Sequence, residues 1–305
     1  MKPSPATPVR MCVLGACNVD FTFHAPRLPL WGETLPGHSF LFHFGGKGAN
    51  QAVMACRMGA QATLISRVGD DAFGEQMLTH LRTEGLDVRH VQKSEGQSTG
   101  AAAILIDDSA RNAIIGVPGA NLTVSGSDVL GAAFTITSSH VLIGTLEVDL
   151  NATVPAFAIA RGAGVTTILN PAPAFDVPDE LLQNVDYCIP NETELAHIGG
   201  GDVSTLEGTE RAARRLLQRG AKTVIVTLAE RGALIVTPEI VEQIPGIQVK
   251  AVDTSGAGDA FIGSFAVFLA EGLPVVEAVR EANAMAAASV TRAGTQASFP
   301  RRNEL

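Results

Sequence analysis

Short β-branched runs alternate with segments of helical periodicity along most of the chain, and this alternation restricts the fold more than any other feature. It predicts strands at residues 10–15, 63–68, 140–144, 165–169, 187–190 and 223–227, and helices at 49–58, 73–84, 152–161, 209–219, 260–271 and 275–291. Runs such as Thr223-Val224-Ile225-Val226 are apolar without a polar alternate, the pattern of a strand covered on both faces. Such strands, each followed by a helix, imply a doubly wound α/β domain, a mostly parallel sheet flanked by helices, over residues 1–305.

Two stretches break the rhythm. Residues 21–44 carry Pro26, Pro29 and Pro36 among alternating residues, and within 99–117 the runs 101–106 and 112–117 flank Asp107-Asp108-Ser109-Ala110. Both read as hairpin material inserted into the α/β core. Inserted strands over the carboxyl ends of a parallel sheet would form a small β lid, which a transferase needs to keep water from its reactive group. Decorative edge strands are the other reading.

With 305 residues, 46% of them hydrophobic, the chain can bury a substantial core. Its net charge of -9, with no block of Lys and Arg, argues against a nucleic-acid partner but not against a nucleotide ligand. Cys12, Cys17, Cys56 and Cys188 have neither zinc-ligand nor Cys-x-x-Cys spacing and read as reduced core residues. The proline-bearing start of the chain has no signal-peptide pattern, and no run approaches the ~20 apolar residues of a membrane span, so a cytoplasmic protein is expected.

Chemistry concentrates at Asp253-Thr254-Ser255-Gly256-Ala257-Gly258-Asp259, where two carboxylates bracket a Gly-Ala-Gly turn just before a helix. Small residues let backbone N–H groups approach an anion, and a helix start adds free donors and a positive dipole end. Asp259 would sit at the rim as a base, or simply cap the helix. The segment is neither common phosphate loop. After Gly45-Gly46-Lys47 comes Gly48, with no hydroxyl for magnesium, and the third glycine of a dinucleotide fingerprint is Phe261.

Gly45-Gly46-Lys47-Gly48-Ala49-Asn50-Gln51-Ala52 and Asp253 to Phe261 resemble the two hallmark motifs of the ribokinase family of sugar kinases, also called the PfkB family. Asn170-Pro171-Ala172-Pro173-Ala174, Pro190-Asn191-Glu192-Thr193-Glu194 and Thr227-Leu228-Ala229-Glu230-Arg231-Gly232 resemble family segments in the same order, so the likeness covers nearly the whole chain. It implies ATP-dependent phosphorylation of D-ribose at O5, with Mg²⁺ accompanying ATP, K⁺ as an activating cation, and a homodimer through the lid.

The resemblance also implies roles. Asp259 is the general base, and the N–H groups of Gly256, Ala257 and Gly258 form the anion hole. Asn18, Asp20, Gly46, Lys47, Asn50, Glu147 and Asp259 would meet the sugar, since carboxylates and amides each bridge several hydroxyls. Asn191, Glu194, Thr227, Leu228, Ala229, Glu230, Arg231, Gly232, Gly258 and Asn283 would line the nucleotide, with Asn191 and Glu194 near magnesium through water. Asp253, Ser255, Ser289, Arg292, Gly294 and Ser298 would supply oxygens to the monovalent cation.

Several of these residues have plainer readings. Asn191-x-x-Glu194 is also a capping box; Lys47 reads equally as a surface charge in a Gly-rich turn; Asn283, where the family often carries His, reads equally as a helix-surface residue. Other kinases of the family, acting on 2-deoxyribose, fructose or a nucleoside, would share the catalytic residues. A non-catalytic nucleotide or sugar sensor is disfavoured by the intact Asp259 turn.

Overall fold

The computed structural model describes residues 8–109 and 111–304; the tail through Thr7, Ala110 in the second hairpin, and Leu305 lie outside the described residues. In chain order the strands are β1 (Arg10–Leu14), β2 (Asn18–Ala25), β3 (Ser39–Gly45), β4 (Gln61–Gly69), β5 (Asp87–Ser94), β6 (Gly100–Asp107) and β7 (Asn112–Val117). There follow β8 (Val141–Thr145), β9 (Thr166–Asn170), β10 (Tyr187–Cys188), β11 (Thr223–Thr227), β12 (Ala233–Val236) and β13 (Val241–Ile244). The helices are α1 (Lys47–Arg57), α2 (Ala72–Thr83), α3 (Gly126–Gly131), α4 (Ala133–Ser138), α5 (Leu150–Gly162), α6 (Asp179–Leu182), α7 (Glu192–Gly199), α8 (Leu206–Gln218), α9 (Ala257–Ala270) and α10 (Val275–Ser289).

Alternate residues of the central strands feed two separate cores. Met11 and Val13 of β1, Ile143 of β8 and Ile225 of β11 pack with α1, α2, α9 and α10. Cys12 and Leu14, Leu142, Val224 and Val226 pack with α5, α7 and α8 on the other face. Both faces of each strand are therefore covered, as the unbroken apolar runs predicted. The nine-stranded sheet has the order β13-β12-β11-β10-β9-β8-β1-β4-β5, parallel from β11 to β5, with β12 and β13 added antiparallel. Chain direction across the sheet reverses between β1 and β8, and that switch point opens a crevice at the strands' carboxyl ends.

The two insertions join into one second sheet, β3-β2-β6-β7, made of two antiparallel hairpins paired in parallel through β2 and β6. It begins earlier than the expected residue 21: Asn18 and Asp20 stand on β2 itself, at the root of the small sheet. Phe21 and Phe42 anchor it on Phe73 of α2, with ring centroids 5.3 and 6.1 Å apart.

Helix α9 is apolar almost all round and buried from Asp259 to Phe268, so it runs through the interior and not along the surface. It crosses α1 closely: a Cβ on Gly263 would lie 2.6 Å from the Gln51 carbonyl oxygen and 2.8 Å from the Met54 Cβ. Asp259, one turn earlier on the same face, is thereby brought against α1. The four cysteines are free, and burial pushes the Cys12, Cys17 and Cys188 thiols up to about 12. No described helix is long and apolar enough to cross a membrane.

Candidate active site

Gly256 opens α9 at φ 76°, and a Cβ there would also meet the Thr295 methyl at 2.5 Å. The left-handed turn is thus reserved for glycine. Ala257 donates its N–H to the Thr254 carbonyl over 3.3 Å, and Ala257, Gly258 and Thr254 face two adjoining cavities. The larger, 460 Å³, runs between the loop after β11, residues 246–251 and α10. The smaller, 220 Å³, is polar and bounded by Lys47, Asn170, Glu194 and Asp259. Asn191 and Thr227 line both, so an elongated ligand in the first would extend one end toward Asp259.

Asp259 is not the cap of α9, in contrast to one of the two sequence readings. Gly256 occupies the cap position, and the Asp259 carboxylate turns away from its own helix. Oδ2 accepts from Asn50 Nδ2 at 2.9 Å, and Oδ1 accepts from Gln51 Nε2 at 2.9 Å. The carboxylate is 6% exposed and anchored by two amides of α1. A buried carboxylate with fixed acceptors and spare lone pairs suits a general base.

Carboxylates gather around one cation. The charge of Asp259 raises the Lys47 ammonium, with Glu147 and Glu194 adding to it against the burial cost, so Lys47 is no free surface charge. The Lys47 backbone N–H donates to Glu147 Oε2 at 2.8 Å. Burial, then repulsion from Asp259, pushes Glu147 up to about 7, and the same two causes push Asp20 up to about 6. Both shifts favour the protonated form more than in a free carboxyl group. Asn18 Oδ1 accepts from Asn121 Nδ2 at 2.8 Å, and Gly46, at φ 88°, brings its backbone against Ala16 and Asn18, where a Cβ would lie 2.4 Å from the Ala16 oxygen. The residues expected to meet a sugar therefore come from β2, the start of α1, the turn after β8 and the start of α9.

Asn191 and Glu194 do form a capping box on α7: the Asn191 side chain accepts from the Glu194 N–H and Glu194 Oε2 from the Asn191 N–H, each at 2.8 Å. Both residues still line the polar cavity. Thr227, Ala229, Glu230 and Gly232 line the larger one, but two members of that segment do not: Leu228 is fully buried in the second core, and Arg231 pairs with Glu192. Asn283 is 8% exposed, not a surface residue, and its amide reaches the Pro245 carbonyl at 3.4 Å on the cavity wall.

Asp253 accepts the Ser255 and Gly294 N–H groups at 2.9 Å each, which against the burial cost holds its carboxyl below the usual range. Ser289 and Ser298 are buried, their hydroxyls donating to Ala286 and Thr295 carbonyls and keeping lone pairs free. Arg292 turns its guanidinium to Glu304, so only its backbone could serve a cation. Carboxylate and hydroxyl oxygens are of the kind a weakly hydrated monovalent ion takes. Among the described residues no three His, Cys, Asp or Glu side chains gather into a metal cage.

Sequence reasoning did not single out Gln51, Asn170, Gln296 or the 246–251 wall. Gln51 and Asn170 lie in recognisable motifs, but nothing local marks Gln296.

The family model for pfkB family carbohydrate kinases matches residues 10–302. The chain is 38% identical to a mouse protein named ribokinase, over 96% of this chain and 92% of that one. It is 37% identical to a Salmonella typhi protein named deoxyribokinase, over 95% of each. The structure of Arabidopsis thaliana ribokinase complexed with ribose and ATP superposes with a TM-score of 0.91 at 29% identity, covering 97% of both chains.

Proposed function

This chain belongs to the PfkB family of carbohydrate kinases and is a phosphotransferase, and we propose that it transfers the γ-phosphoryl group of ATP to O5 of D-ribose. The observation that carries this reading is the anchored Asp259 carboxylate where the long cavity meets the polar one. The nucleotide occupies the 460 Å³ cavity and the sugar lies between Asp259, Asn50, Lys47, Glu147 and the root of β2. Asp259 takes the proton of the attacking hydroxyl, and the N–H groups at the start of α9 receive the transferring phosphoryl group. Lys47 offsets charge that builds beside them. Asn191 and Glu194, on the wall of the polar cavity, would hold the water shell of an Mg²⁺ bound to the triphosphate, which would supply charge neutralisation there. K⁺ fits the Asp253 loop and would order the turn that follows.

The small sheet serves as lid and as the contact of a homodimer in the cytoplasm. Its exposed Phe23, Phe40, Leu41, Ile114, Ile115 and Val117 support such a contact, because apolar side chains clustered on one small sheet are costly in water.

A second reading is favoured by the deoxyribokinase match, as strong as the ribokinase one. ADP release measured across pentoses, hexoses and nucleosides decides. Ribose is expected to exceed 2-deoxyribose in kcat/KM by roughly 5- to 150-fold, since a missing 2-hydroxyl strands a desolvated partner at about 1–3 kcal/mol. Equal values would transfer the assignment to the deoxy sugar, and no sugar-dependent ADP release would end it.

A further inference from the structure

Asp259 is held by a longer chain of side chains than its two contacts. Asn50 accepts from Gln296 Nε2 at 2.8 Å while donating to Asp259, and Gln296 Oε1 lies 2.6 Å from His80 Nε2. Arg57, ion-paired with Glu84 at 2.7 Å, fixes the Gln296 backbone carbonyl at 2.6 Å. On the other side Gln51 Nε2 spends one hydrogen on Asp259 and the other on Asn170 Oδ1, 3.0 Å away. Asn50, Gln51, Asn170 and Gln296 are all at most 5% exposed.

The ionised carboxylate sets the direction of every bond. It can only accept, so Asn50 and Gln51 must present their NH₂ groups to it. The Asn50 oxygen is then left to accept from Gln296, and the Gln296 oxygen to accept from His80, which must carry its proton on Nε2. Gln51, with both hydrogens committed, leaves its own Oε1 buried and without a protein partner among the described residues. A bare buried carbonyl destabilises a fold and calls for a reason. Flipping that amide would satisfy nothing, because its oxygen would then face two other oxygens.

We propose that Gln51 and Gln296 are positioning residues that clamp Asp259, fixing which carboxylate lone pair faces the substrate hydroxyl. Gln51 acts directly on Oδ1, and Gln296 acts through Asn50 on Oδ2. Asn50 keeps one N–H without a partner among the described residues, available to the sugar, so the same clamp aligns sugar and base. The inference rests on the reading of Asp259 as base.

The test compares Gln51→Met, Gln296→Met, Gln51→Glu and, as reference, Asp259→Asn, each checked for folding by thermal melting. In the two methionine variants kcat should fall roughly 10- to 100-fold, the scale of a misaligned reactive group, with KM for ATP unchanged. Gln51→Glu sets a second carboxylate against Asp259, also facing Asn170 and, across the site, Lys47, Glu147 and Asp20. The pair must share a proton, so the acid limb of the kcat–pH profile should move up by a unit or more. A purely structural glutamine would lower the melting temperature and leave kcat of the folded methionine variants at the wild-type value, while the moved limb checks that side chain 51 lies against Asp259. If Asp259→Asn is inert while both methionine variants keep wild-type kcat, or the limb does not move in Gln51→Glu, the clamp is refuted and the base stands. Full turnover by Asp259→Asn refutes both.

Discussion

Replacing Asp259 by asparagine separates the chemistry of this side chain from its place in the fold. The substitution removes the base, so turnover should fall roughly 10²- to 10⁴-fold, the usual contribution of a positioned base. Were Asp259 a helix cap, asparagine would serve nearly as well and stability would hold. It is not: two amide donors point at the carboxylate at 2.9 Å, and an asparagine offers one oxygen and one NH₂ in place of two acceptors. One donor of α1 then faces another donor in a buried site. Gln51 could turn its unpartnered oxygen to that NH₂ only by breaking its bond to Asn170. One buried bond is lost either way, about 1–3 kcal/mol, which for a chain of this size lowers Tm by roughly 2–6 °C. Lys47 also loses its main counter-charge, while Asp20 and Glu147 are relieved of a neighbour, and these effects oppose each other. The assay is ADP release with ribose beside calorimetric titration with ADP, whose affinity should persist. Turnover near wild type in a folded, nucleotide-binding Asp259→Asn protein would refute the base assignment; an unchanged Tm would refute the clamped geometry.

Exchanging sodium for potassium at constant ionic strength should raise kcat without altering KM for ribose, and Asp253→Ala should lose that response; equal rates in both salts would make the loop purely structural. Glu147 binds its proton more tightly folded than unfolded, so between about 4.5 and 7 the folded state holds the extra proton and stability falls as pH rises through that window. Glu147→Gln should therefore gain Tm over wild type at pH 8, by at most about 3 kcal/mol of stability, and gain nothing near pH 4; equal gains at both values would point to another cause. Ile115→Lys, at a 65% exposed site on β7, should halve the sedimenting mass if the small sheet joins two copies; an unchanged mass would remove the dimer contact from that face.

The strands at β1, β4, β8, β9 and β11 were legible within a residue or two because burial on both faces demands uninterrupted apolar residues, a requirement written locally in composition. The small sheet's hairpins were legible from alternation and turn residues, though not that β2 starts at Asn18, since its pairing with Gly45 and Gly100 is set by distant partners. Helix α7 was signalled only by its capping box, and strands β5, β12 and β13 by nothing: β12 and β13 are short, β5 is a partly exposed edge strand, and their stability comes from packing on neighbours more than from their own pattern. At the site, the Gly-Ala-Gly turn announced a helix start from sequence alone, because left-handed backbone and close approach both call for glycine. Cap and clamp could not be separated in that way. The donors that hold Asp259 come from residues 208 and 209 positions away, and Gln296 reaches Asn50 across 246. Such hydrogen bonds leave no period, spacing or local composition in a chain; they exist only once α9 is drawn against α1 through Gly263, and that close packing of two helices is a property of the folded molecule.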